Sequence, residues 1–210
     1  SETFNNKTTI LSSQSYYAGA GSFEQIIAHD IDKDNDLDIL GASYNRDELL
    51  WFKNSGNDSW NKSVLATPNG PSDIFVYDFD GDNDNDIITQ SRFDFKLVWY
   101  ENDGSQNYTE RTIATDTGSD SNSEFQGFLN FDAVDLDKDS DIDLVAMSND
   151  LIAWYVNDGS ENFSRTNIAI AANSGGKGKS IKAIDMDGDN DLDLVFPSNS
   201  EIVWYENNGS

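Results

Sequence analysis

Four stretches of the chain place an aspartate at every second position and then run into an apolar segment. They are "DIDKDNDLD" from Asp30, "DFDGDNDND" from Asp78, "DLDKDSDID" from Asp135 and "DMDGDNDLD" from Asp185. Each like-charged neighbour raises the cost of ionising the next, so five carboxylates in nine residues call for a counter-charge. Oxygen ligands at alternate positions of a tight loop suit a cation that takes about six to eight oxygens, which is calcium; magnesium keeps its waters and fits such a loop less well. The pattern predicts about four calcium ions, one per loop. Their ligands would come from Asp30, Asp32, Asp34, Asp36 and Asp38; from Asp78, Asp80, Asp82, Asp84 and Asp86; from Asp135, Asp137, Asp139, Asp141 and Asp143; and from Asp185, Asp187, Asp189, Asp191 and Asp193. The seventh position is expected to offer its backbone carbonyl and the ninth to close the shell. An EF-hand would need glycine at the sixth position and flanking helices, but the sixth position here is Asn or Ser and the ninth opens a strand.

The runs recur at intervals of about 50 residues, a period that marks propellers and solenoids. Other features repeat in register with them. Trp51, Trp99, Trp154 and Trp204 sit in "LLWF", "LVWY", "IAWY" and "IVWY", each followed by an Asn-x-Gly turn, and "SWNKSVLA", "NYTERTIA" and "NFSRTNIA" follow the first three. Short β-branched stretches before and after each acidic run read as strands. The tryptophan segments are apolar throughout, as in strands buried on both faces, and the Asn-x-Gly turns supply hairpin chemistry. The unit is a four-stranded blade, and the fold class is all-β: a β-propeller with four blades in this chain, as one domain over residues 1–210. The repeats span about 12–66, 67–115, 116–170 and 171–210, the last joined by residues 1–11. In that arrangement Phe4 stands where Trp60, Tyr108 and Phe163 stand, and the N-terminal strand completes the last blade and closes the ring. The alternative is a larger ring shared between chains.

Composition bounds the rest. The 210 residues are 37% hydrophobic and 12% aromatic, enough for a packed core. Twenty of the 39 acidic residues lie in the four runs, so most of the net charge of −26 is local to them. That argues against nucleic acid as a partner. No apolar run is long enough to span a membrane. The chain has no cysteine, hence no disulfide or thiol chemistry. Its one histidine, His29, holds the place of Tyr77, Val134 and Ile184 in the other repeats and reads as a packed strand residue.

Aspartates at alternate positions before an apolar strand, at propeller spacing, resemble the FG-GAP or VCBS repeat family. Its members include integrin α-subunit propellers and propeller lectins of bacteria and fungi. The resemblance implies calcium at the aspartates above and an extracellular location, secreted or on the cell surface. The family's own "FG" and "GAP" segments are mostly missing here, "GAS" at Gly41 to Ser43 being the nearest.

Function is sought where the repeats differ. Loops joining strands 1 to 2 and 3 to 4 of a blade share one face, so the acidic loops and Asn-x-Gly turns sit together and the irregular loops form the other face. There Tyr16, Tyr17, Arg46, Asp47, Arg92, Phe93 and Phe125 mix aromatic, cationic and acidic groups, the composition of a recognition surface. The expected function is a non-enzymatic binding or adhesion module for glycans or a cell-surface or extracellular protein, which could also form a homo-oligomer. The alternatives are a polysaccharide-active enzyme domain and a structural spacer or filament subunit.

Overall fold

The computed structural model describes residue 10 and residues 22–56, 59–116, 127–148, 151–160, 162–170, 180–198 and 201–209. These form four antiparallel sheets, each ordered as its strands follow in sequence. Blade 1 is β1 (Phe23–His29), β2 (Asp38–Ser43), β3 (Glu48–Asn54) and β4 (Trp60–Ala66). Blade 2 is β5 (Pro71–Tyr77), β6 (Asp86–Ser91), β7 (Lys96–Asn102) and β8 (Tyr108–Thr115). Blade 3 is β9 (Phe128–Val134), β10 (Asp143–Ser148), β11 (Leu151–Asn157) and β12 (Phe163–Ile170). Blade 4 is β13 (Lys182–Ile184), β14 (Asp193–Ser198) and β15 (Glu201–Tyr205). The chain is thus an all-β propeller array of four blades. The N-terminal piece expected to complete blade 4, residues 1–11, lies outside the described residues except for Ile10, which is a bend. The only helical elements among the described residues are two 3-10 turns, Tyr44–Arg46 and Arg92–Asp94.

The apolar tryptophan segments are explained by stacking. Along β7, Leu97 and Trp99 point to one side and Val98 and Tyr100 to the other, and all four are buried. Val98 and Tyr100 join Leu40, Leu49 and Trp51 in the core between blades 1 and 2. Leu97 and Trp99 join Phe131, Leu144 and Tyr155 in the core between blades 2 and 3. A third core unites Val145 and Ile152 of blade 3 with Leu194 and Phe196 of blade 4. The middle strands of blades 2 and 3 therefore serve two joints each, and truncating a ring such as Trp99 to alanine is expected to cost about 3–5 kcal/mol.

Those three joints account for all the core clusters of the described residues. A closed four-blade ring needs a fourth, between blades 4 and 1, and no apolar cluster of the described residues joins them. Ile202 and Trp204 on blade 4 and Ile26 on blade 1 remain exposed.

Candidate metal and recognition sites

Each acidic loop runs from the end of a blade's first strand to the start of its second, and its aspartates fold the backbone around themselves. The first carboxylate reaches back to the amide of the sixth residue, with Asn35 N donating to Asp30 at 2.9 Å, Asn83 N to Asp78 at 2.8 Å, and Ser140 N to Asp135 and Asn190 N to Asp185 at 3.1 Å. The fifth accepts the amide of the seventh in all four loops, at 2.8–3.0 Å. This winding puts the sixth residue in the left-handed region, at φ 72° for Asn35, 71° for Asn83, 82° for Ser140 and 75° for Asn190. Asparagine visits that region readily because its short polar side chain can bond locally.

The ninth aspartate is the anchor. Asp38, Asp86, Asp143 and Asp193 are fully buried. Each accepts the amide of the loop's second residue and that of the asparagine that opens the hairpin turn after the tryptophan segment: Asn54 N to Asp38 at 2.7 Å, and Asn102, Asn157 and Asn207 to their partners at 2.8 Å. One carboxylate thereby ties the loop to the neighbouring hairpin. Burial pushes the carboxyl of Asp86 up to about 7 and that of Asp143 up to about 6, and raises Asp38 as well. The amide of Asn207 instead holds Asp193 below its ordinary value.

Oxygens from the first, third and ninth aspartates converge. In the loops of blades 1, 2 and 4, one oxygen from each of Asp30, Asp32 and Asp38, of Asp78, Asp80 and Asp86, and of Asp185, Asp187 and Asp193 lies within 4.8 Å of the others. In blade 3 the group is Asp135, Asp137 and Asp139. The donor set is all carboxylate, as a hard cation prefers. Asp32 Oδ1, Asp78 Oδ1 and Asp135 Oδ1 are buried without a hydrogen-bond partner, a costly state for a charged oxygen unless something binds it. The residues therefore fit a calcium ion. The seventh aspartates are placed differently. The carboxylates of Asp84, Asp141 and Asp191 lie against Gly104, Gly159 and Gly209 of the hairpin turns, where a Cβ would collide with them.

Blade 1 departs from the pattern. Lys53 forms an ion pair with Asp32 and reaches Asp34 at 3.2 Å, so an ammonium stands against this loop's carboxylates. It takes the place of Glu101, Val156 and Glu206, so the repeats show the change of residue but not the contact it makes. The clamping asparagines also recur visibly, but the sequence shows them only as turn formers.

On the opposite face the two 3-10 turns meet. The rings of Tyr44 and Phe93 lie 5.2 Å apart, and the Arg92 guanidinium sits 5.5 Å from the Tyr44 ring centre. Asp47 accepts the amide of Gly70 at 2.8 Å. Phe93 is half exposed, and Arg46 ends the first turn. The structure thus brings Arg92, Phe93 and Asp47 into one blade 1–blade 2 surface and adds Tyr44, which the sequence reading had passed over. Tyr16, Tyr17 and Phe125 lie outside the described residues.

A second concavity opens between blades 3 and 4. Tyr108, which begins β8, packs into the first joint, and Phe163, which begins β12, sets its ring edge-on to Trp99 at 6.5 Å in the second. No such ring fills the third joint among the described residues. A cleft of about 600 Å³ stands there, lined by Leu136, Trp154, Ile168, Tyr205, Asp191 and Asn207. Phe4, expected in that place, lies outside the described residues.

Stacked antiparallel blades, each with a carboxylate cluster beside its hairpin turn, define a repeat β-propeller of the acidic-loop kind. The chain belongs to the FG-GAP-like repeat family, whose description matches residues 30–89 and 135–196. No curated protein matches it. Among solved structures it is similar to an Agrocybe aegerita lectin whose structure is described as the basis of specific recognition of non-reducing terminal N-acetylglucosamine, at 18% identity and a TM-score of 0.63. The match covers 97% of this chain and 54% of the lectin, so the chain spans about half the length of that protein. Among the described residues no helix is long and apolar enough to cross a membrane.

Proposed function

We propose that the chain is an extracellular, calcium-stabilised propeller module that binds glycans and is not an enzyme. The observation that carries the calcium reading is the recurrence in all four blades of an all-carboxylate cluster, with buried unpartnered oxygens in three of them. The first, third and ninth aspartates, with the fifth in place of the ninth in blade 3, would hold the ion. When bound, the ion neutralises the loop and fixes it against the hairpin.

Because the clusters are alike from blade to blade, they distinguish no particular partner. Recognition belongs to the face of the 3-10 turns, where Arg46, Asp47, Arg92 and Phe93 occur without equivalents in blades 3 and 4. Arginine presents a planar fork to hydroxyls and carboxylates, and the exposed ring of Phe93 offers a stacking surface for a sugar. Membership of the repeat family and likeness in fold to a lectin support a glycan as the ligand. In this reading the loop aspartates are engaged by their own backbone and would hold the cation, and His29 pairs in strand register with Asp38; no catalytic role is assigned to them.

A glycan array probed with the chain in millimolar calcium, and again after chelation, tests this reading. Binding to a subset of glycans that is lost or weakened on chelation is the expected result. An array without binding in either condition overturns the glycan assignment.

A further inference from the structure

The faces left open at the two ends of the blade array are the two halves of one joint. Within the array a blade buries a trailing face against the next blade and a leading face against the one before. In the trailing faces of blades 1, 2 and 3, the residue two before the tryptophan is Leu49, Leu97 or Ile152, each with 0% exposure; in blade 4 the same position is Ile202, at 83%. The second loop residue is Ile31, Phe79 or Leu136, all buried, and in blade 4 it is Met186, half exposed. Trp51 and Trp99 are buried, whereas Trp204 is 46% exposed.

The leading faces show a contrast on their first strands. Ile74, Phe131 and Ile181 hold one position in blades 2, 3 and 4 and are all buried, while Ile26 holds it in blade 1 and is 62% exposed. On β3 of the same face Leu50 and Phe52 are buried, so the apolar surface that blade 1 leaves open is centred on Ile26 of β1. The polar stitching of the joints also continues. The side chain of Gln25 accepts the amide of Ile74, and that of Asn130 accepts the amide of Ile181 at 2.8 Å. Ser180 stands at the Gln25 and Asn130 position in blade 4 and is exposed. An exposed apolar face of this kind marks an interaction site.

We propose that the trailing face of blade 4 docks the leading face of blade 1 of a second copy of this chain. The same contact made in return seals both pairs of faces and gives a two-chain ring of eight blades. A head-to-tail contact yields a closed assembly only when the rotation closes, and the proposed ring would close with two copies. The interface continues the three joints within the chain, which show what covers each face. The length match agrees, since the chain superposes on about half of a longer solved protein.

The test is complementation. In calcium, the 23.3 kDa chain is expected to sediment at twice its mass, and Ile26→Asp and Ile202→Asp to sediment singly. Both side chains are exposed in the single chain, so each variant should keep its β-sheet circular dichroism. Mixing the two variants leaves one joint intact between an unaltered blade 4 and an unaltered blade 1, and a heterodimer is expected to reappear. A wild-type chain that stays single up to about 100 µM, an Ile26→Asp variant that still pairs, or a mixture that fails to pair would each overturn the proposal. The first of these points to another cover for the faces, and the second to like faces packing together.

Discussion

Asp86, the first residue of β6, accepts the backbone amide of Asn102, the last residue of β7, at 2.8 Å, and both are fully buried. The carboxylate also holds the Phe79 amide at 3.1 Å. It joins acidic loop, second strand and hairpin at one point, which separates its role from that of an exposed loop aspartate. Asp86→Ala leaves two buried amides unpaired, at about 1–3 kcal/mol each. Thermal denaturation in calcium should show a large fall in Tm for Asp86→Ala and a small one for Asp84→Ala. Equal losses would mean that Asp86 acts only through the cation.

The pH dependence of the metal-free protein follows from the same burial. An aspartate in the unfolded chain titrates near about 3.9, whereas folding holds the proton on Asp86 up to about 7 and on Asp143 up to about 6. The folded state thus binds more protons in that window, and its stability falls as pH rises from about 4 to 7. In chelator, Tm should be higher at pH 5 than at pH 8. Because ligands must be deprotonated to bind metal, the gain in Tm on adding calcium should grow over the same range. The net charge of −26 pushes the same way, so Asp86→Asn supplies the control by flattening the chelated profile. A chelated Tm that rises with pH would contradict the assignment.

Lys53 competes with a cation in the first loop. Replacing it with glutamate, the residue at that place in blades 2 and 4, removes the ammonium beside Asp32 and Asp34. Calorimetric titration should find one calcium site weaker than the rest in the wild type and strengthened about tenfold or more in Lys53→Glu. Identical isotherms would show that the ammonium swings away at no cost.

The recognition face should respond oppositely to the loops. Arg46→Ala and Arg92→Ala are expected to weaken glycan binding by about 1–3 kcal/mol each, where a buried partner loses its hydrogen bond, with little change in Tm. Normal binding by both variants, alongside loss of binding by a folded loop-aspartate variant, would move recognition to the cation.

Much of this was legible in the sequence because the repeat supplied four readings of every position. The runs from Asp30, Asp78, Asp135 and Asp185 gave the loop, and the tryptophan segments gave the doubly buried strand. The division of labour among the aspartates was not legible. Alternation treats all five alike, and only three-dimensional placement shows that the ninth is a buried anchor while the seventh lies on the hairpin glycine in blades 2, 3 and 4. Closure of four blades into a ring followed from strand count, but whether end faces meet depends on the angle between blades, which no residue pattern encodes. Lys53 was hidden for a related reason: cation pairing across β3 and the loop depends on side-chain reach rather than spacing.

Thermal denaturation of the intact chain in millimolar calcium and in excess chelator tests the central claim most directly. Binding to the folded state alone stabilises by RT ln(1 + [L]/Kd), about 2.7 kcal/mol per site at a hundredfold excess over Kd, and several sites act together. Chelation is expected to lower Tm by many degrees, with full recovery on restoring calcium and little on adding magnesium. Superimposable melting curves in calcium and chelator would contradict it.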